Sequence, residues 1–150
     1  CELAGVVKNV IAIASGIAAG MGFGDNTRAT LVTRGLAEMT RLAMAMGGRL
    51  ESLAGLAGMG DLIATCSSTS SRNMSVGMRL GRGEALADIL ASTSQVAEGV
   101  KSSRAVLDLA QRHGVDMPIV EQVVGICHGG VSAADGLASL MTRRARPEVR

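Results

Sequence analysis

The stretch from Leu3 to about Ala19, LAGVVKNVIAIASGIAA, reads as one helix with apolar or small residues on nearly every face. A surface helix needs only a stripe of such residues, whereas one that is oily all round has to be enclosed by other elements. The apolar run Val10 to Gly24 is only 15 residues long and glycine-rich, short of the roughly 20 that cross a bilayer. Glu2 and Lys8 bar its extension upstream. The expected solution is a bundle packed around this central helix, with no membrane insertion.

The enclosing material is aliphatic. Hydrophobic residues make up 47% of the 150, nine of them Met, and Phe23 is the sole aromatic. No alternating strand pattern is visible, so the chain is expected to be one all-α domain over residues 1–150, with seven to nine helices. Asp25, Asn26 and Thr27 are candidate N-caps for a second helix that ends at Gly47 and Gly48. Its apolar stripe reads Val32, Leu36, Met39, Ala43 and Met46, with Arg34, Glu38 and Arg41 opposite and spaced to pair. A short helix from Leu62 and another over Glu84 to about Leu90 follow. The spacing then predicts helices from Lys101 to His113, closed by Gly114, and from Pro118 to about His128. Ser132 and Asp135 open the last one in a capping arrangement.

The net charge of +2 is too small and too dispersed for a nucleic-acid partner, and base-stacking aromatics are missing. Cys1, Cys66 and Cys127 show no paired spacing, which fits reduced thiols in a cytoplasm. Cys127 and His128 are adjacent, so on a helix they point apart and do not chelate; no metal site is expected.

Three places could carry chemistry. Of 15 basic residues, only Lys8 and Lys101 are lysines. Lys8 has only Ala4, Gly5, Ile11 and Ala12 as helical neighbours, none charged. It either snorkels from a helix end or serves as a desolvated acid–base group, and position alone favours the first. Asn9 beside it could hold a substrate oxygen or satisfy a packing contact. Asp61 and Thr65 share a helix face at a start rich in free N–H groups, which suits a polyol or anion; alone they are an N-cap and a surface hydroxyl. The run SSTSSRN puts hydroxyls beside Arg72 and Asn73, a phosphate grip or a polar linker with equal weight.

Read in order, ELAGVVKNVIAIASGI, GFGDNTRATLVTRGLAEM, GLAGMGDLIATCSSTSSRN and QVAEGVKSS, supported by HGVDMPIVEQV, resemble the C-terminal half of bacterial NAD(P)-dependent glycerol-3-phosphate dehydrogenase. The resemblance implies an all-helical domain of the 6-phosphogluconate dehydrogenase C-terminal type. Such enzymes interconvert dihydroxyacetone phosphate and sn-glycerol 3-phosphate, supplying phospholipid synthesis. It implies that Lys8 is the proton donor and acceptor. Asn9, Asp61, Thr65, Ser71, Arg72 and Asn73 would line the substrate site, and Arg72, Val96 and Glu98 would border the NAD or NADP. The implied partners are a small phosphorylated substrate, the enzyme's own N-terminal Rossmann domain and a second copy in a homodimer. These 150 residues lack that Rossmann half and its glycine-rich loop, and Cys1 in place of an initiator Met points to a piece of a longer protein; alone it should be catalytically silent. Two alternatives stand beside this: a helical domain of a related hydroxy-acid-type dehydrogenase, and a helical interaction module without chemistry.

Overall fold

A computed structural model describes residues 2–47, 72–93 and 97–142. Seven helices and no strand occur among them: α1 (Glu2–Gly20), α2 (Asp25–Ala45), α3 (Arg72–Gly81), α4 (Leu86–Ala91), α5 (Glu98–Arg112), α6 (Pro118–His128) and α7 (Ala133–Thr142). The helix expected from Leu62 lies outside the described residues. Helix α1 is the centre. Every residue from Val10 to Ala18 is buried, and the helix touches α2, α3, α5, α6 and α7. None of the described helices is long and apolar enough to cross a membrane.

The tightest crossing is between α1 and α3, and glycine makes it possible. Gly16 and Gly20 on α1, and Gly77 and Gly81 on α3, sit four apart and so share a face in each helix. A Cβ on Gly16 would collide with the Met74 carbonyl oxygen, and one on Gly77 with that of Ile13. Gly20 and Gly81 are blocked in the same way by the carbonyls of Met78 and Ile17. With only hydrogens at these four positions, the two backbones lie directly against each other. That contact fixes where the N-terminus of α3 falls along α1.

The ends of the elements hold several corrections. None of Asp25, Asn26 and Thr27 caps α2; its N-cap is Gly24, with no side-chain bond, and Asp25 pairs with Arg28 at 3.5 Å instead. The expected Val32, Met39 and Ala43 are buried, but so are Leu31, Gly35, Glu38 and Leu42, while Met46 is exposed. So the buried face is wider than the expected stripe and takes in Glu38. Gly35 lets the Ile11 side chain approach α2 closely, and Glu38 points inward rather than out to its neighbouring arginines.

The inward turn of Glu38 has a reason in α6. That helix opens on Pro118, which has no N–H, so its first available donors belong to Ile119 and Val120. The Glu38 carboxylate accepts from Ile119 at 2.9 and 3.2 Å and from Val120 at 3.5 Å. Burial pushes its carboxyl up to about 7, against the opposing pull of those N–H groups and of Arg41 and Arg34. The arginines reach elsewhere: Arg34 donates to the Leu140 carbonyl at 2.7 Å and Arg41 to that of Asp116 at 3.0 Å. Further along, Gly114 closes α5 in the left-handed region at φ 66°, and Ser132 accepts the Asp135 N–H at 3.0 Å, both as expected.

Candidate active site

Three helices meet at one point through three residues. Asn73, the second residue of α3, is buried. Its side-chain oxygen Oδ1 accepts a hydrogen bond of 2.9 Å from the N–H of Gly99, the second residue of α5. A Cβ on Gly99 would lie 2.8 Å from that oxygen and 2.9 Å from both the Asn9 carbonyl oxygen and the Ile13 Cδ1 atom of α1. Here too a glycine admits a close approach that a side chain would forbid. Asn9, Asn73 and Gly99 therefore form the joint of α1, α3 and α5.

Each joint residue has a charged predecessor in the chain. Lys8 precedes Asn9 on α1, Arg72 precedes Asn73 at the start of α3, and Glu98 precedes Gly99 at the start of α5. Arg72 and Glu98 are exposed, whereas Lys8 and Asn9 are half-buried between the enclosed Val7 and Val10. Enclosure of Lys8 is thus partial among the described residues, less than its apolar run suggests. Two helices, α3 and α5, begin at this corner, and the positive ends of their dipoles favour negative charge there. A basic side chain, an amide held by the backbone and two helix starts suit a small anion carrying oxygen acceptors.

Of the residues singled out in the sequence, Lys8, Asn9, Arg72, Asn73 and Glu98 fall around this joint. Asp61, Thr65, Ser71 and Val96 lie outside the described residues. Sequence reasoning missed Gly99. Starting α5 at Lys101 left the Glu98-Gly99 pair in a loop, whereas α5 begins at Glu98. A glycine one residue after an acidic helix start was the available signal.

Two further titratable groups, Cys127 and His128, end α6. His128 Nε2 lies 2.8 Å from the Val100 carbonyl, and burial pushes the Cys127 thiol up to about 11. Among the described residues no three His, Cys, Asp or Glu could hold a metal ion together. A surface cleft of about 600 Å³ opens past the far end of α1, beside Met21, Arg82, His128 and Ser132. From Asn9 to Gly20 the helix rises roughly 17 Å, and none of the residues of the joint lines that cleft.

Residues 1–138 match the family model described as the NAD-dependent glycerol-3-phosphate dehydrogenase C-terminus. The chain is 60% identical, over all of its 150 residues, to a glycerol-3-phosphate dehydrogenase [NAD(P)+] of Streptomyces griseus, 45% of whose length it covers. A Thermobifida fusca protein of the same name is 56% identical over 147 residues, 98% of this chain and 44% of that one. The crystal structure of glycerol-3-phosphate dehydrogenase from Coxiella burnetii superposes with a TM-score of 0.90 at 43% identity, over 95% of this chain and 44% of that one. The chain thus spans a little under half the length of the relatives it matches.

Proposed function

The chain belongs to the family of the NAD-dependent glycerol-3-phosphate dehydrogenase C-terminus, and from that membership we propose that it is the substrate-binding, proton-transferring part of such an enzyme. The reaction is the interconversion of dihydroxyacetone phosphate and sn-glycerol 3-phosphate with NAD or NADP. The observation that carries this reading is the joint of α1, α3 and α5, with Lys8, Arg72 and Glu98 each next in sequence to one of its members.

The chemistry asked of these residues is simple. As the ketone carbon of dihydroxyacetone phosphate is reduced, negative charge develops on its oxygen. The Lys8 ammonium stabilises that charge and delivers the proton; in the reverse direction the neutral amine takes the hydroxyl proton. Asn9 and Asn73 orient the substrate, and the phosphate is held by Arg72 with the N–H groups at the start of α3. Asp61, Thr65 and Ser71 complete the substrate pocket in this reading. The exposed guanidinium of Arg72 and carboxylate of Glu98 also fit the edge of a dinucleotide, one facing phosphate and the other ribose hydroxyls, and in this reading Val96 shares that role. When bound, the dinucleotide supplies or accepts the hydride. Most of its binding falls to an N-terminal Rossmann domain, which also closes the site against water. A cytoplasmic homodimer supplying phospholipid synthesis is the setting that agrees with these roles.

The test joins this chain to the N-terminal part of its Streptomyces griseus relative and follows NAD(P)H oxidation on adding dihydroxyacetone phosphate. Turnover is expected, and Lys8→Ala should lower kcat by about 10²- to 10⁴-fold while the helical circular dichroism stays intact. Turnover of a different hydroxy or phosphorylated substrate in its place would move the assignment to a related dehydrogenase. Full activity in the Lys8→Ala protein would remove the role given to that lysine.

A further inference from the structure

We infer that Gly99 is a positioning residue: its backbone N–H holds the Asn73 carboxamide so that the Nδ2 hydrogens are the face left for substrate. This rests on the substrate site proposed above. A carboxamide carries one acceptor end and one donor end. A backbone N–H can only donate, so the 2.9 Å bond from Gly99 commits the oxygen end of Asn73 to α5. The reversed amide would set N–H against N–H. Asn73 is 7% exposed, so swinging its oxygen out to a ligand would strand a buried backbone donor, a costly exchange.

What remains is the –NH₂ group, for which no acceptor is found among the described residues. It can recognise only an acceptor: a phosphate oxygen, or the ketone oxygen as it gains charge. Gly99 can hold this arrangement only without a side chain, because a Cβ would press on both Asn73 Oδ1 at 2.8 Å and the Asn9 carbonyl at 2.9 Å. Gly99 also follows Glu98 directly, so any shift of the start of α5 is passed to the amide that faces the substrate. The element proposed to border the dinucleotide thereby sets the donor that reads the phosphorylated substrate.

Three proteins test this in the joined, full-length form. Asn73→Asp keeps an acceptor for the Gly99 N–H but turns the donor end into a second acceptor with negative charge. It should melt within a few degrees of the parent and raise KM for dihydroxyacetone phosphate by about 100-fold or more, the scale of losing a hydrogen bond to a charged group and adding repulsion. Gly99→Ala, where it folds, should raise KM about tenfold with a smaller change in kcat, a split that general destabilisation would not produce. In the parent, glycerol 3-phosphate should shift the Asn73 side-chain –NH₂ and the Gly99 amide resonances together. An Asn73→Asp protein with the parent's KM overturns the inference, as does a folded Gly99→Ala protein with unchanged KM. No turnover by the parent itself would remove the substrate reading and this inference with it, whereas normal parent turnover with insensitive variants removes the inference alone.

Discussion

Lys8 and Glu38 are both charged groups set among apolar neighbours, and the structure treats them in opposite ways. Lys8 is left half-buried at a corner where three helices meet, with its nitrogen on a long flexible stem. Glu38 is 2% exposed and is held inside by the first N–H groups of α6. Its carboxyl is raised from an ordinary 4.5 to about 7, so between these values the unfolded chain releases a proton that the folded chain keeps. The folded state then binds more protons than the unfolded one, and stability must fall as pH rises through that window. At about 1.4 kcal/mol per pH unit, the loss is on the order of 3 kcal/mol, present in full only above pH 7. Urea unfolding of the chain at pH 4.5, 5.5, 6.5 and 7.5 measures it. Glu38→Gln, which keeps an acceptor for Ile119 but does not titrate, should flatten the profile. A parent curve already flat over this range would show that the α6 N–H groups compensate the burial of the carboxylate.

At the scale of elements, the α1–α3 crossing determines the site, because it sets the height at which Asn73 meets α1. The obstructing atoms at Gly16 and Gly77 are backbone carbonyl oxygens, which cannot move aside as a flexible side chain would. Gly16→Ala and Gly77→Ala should therefore each destabilise by at least the ~1–3 kcal/mol typical of overpacking, despite alanine's better helix propensity. A lowered urea midpoint at constant m-value would report this. In the joined enzyme the same substitutions should raise KM, since spreading the helices carries Asn73 away from Asn9. Equal or higher stability of Gly77→Ala would mean that the crossing relaxes and does not fix the register. The four-residue spacing of these glycines was plain in the sequence. Their partnership was not, because GIAAG and GMRLG reveal an approach only once α1 and α3 are known to cross.

For the whole molecule, much of the architecture could be read from α1 alone: a helix oily on all faces demanded an enclosing helical shell, and Lys8-Asn9 stood out within it. The rest depended on contacts between distant segments. Glu38 looked like a surface residue because its partners, Ile119 and Val120, are some 80 positions away. Gly99 looked like loop because the amide that fixes it comes from another helix. The same dependence on distant parts extends beyond these 150 residues. The chain covers 45% of its Streptomyces griseus relative, and in the proposed enzyme the N-terminal half closes the substrate site against water. Ligand stabilisation follows RT ln(1 + [L]/Kd), about 2.7 kcal/mol at a hundredfold excess over Kd. In the joined protein of roughly 330 residues, glycerol 3-phosphate at that excess should raise Tm by roughly 4 °C, given about 2.1 cal/mol/K of unfolding entropy per residue. The 150-residue chain alone, given the same concentration, should shift by less than about 1 °C, because it offers only part of the contacts. Differential scanning calorimetry on the two proteins makes the comparison. An equal shift in both would place the whole substrate site within this helical domain, and a Rossmann partner would then be needed only for the hydride.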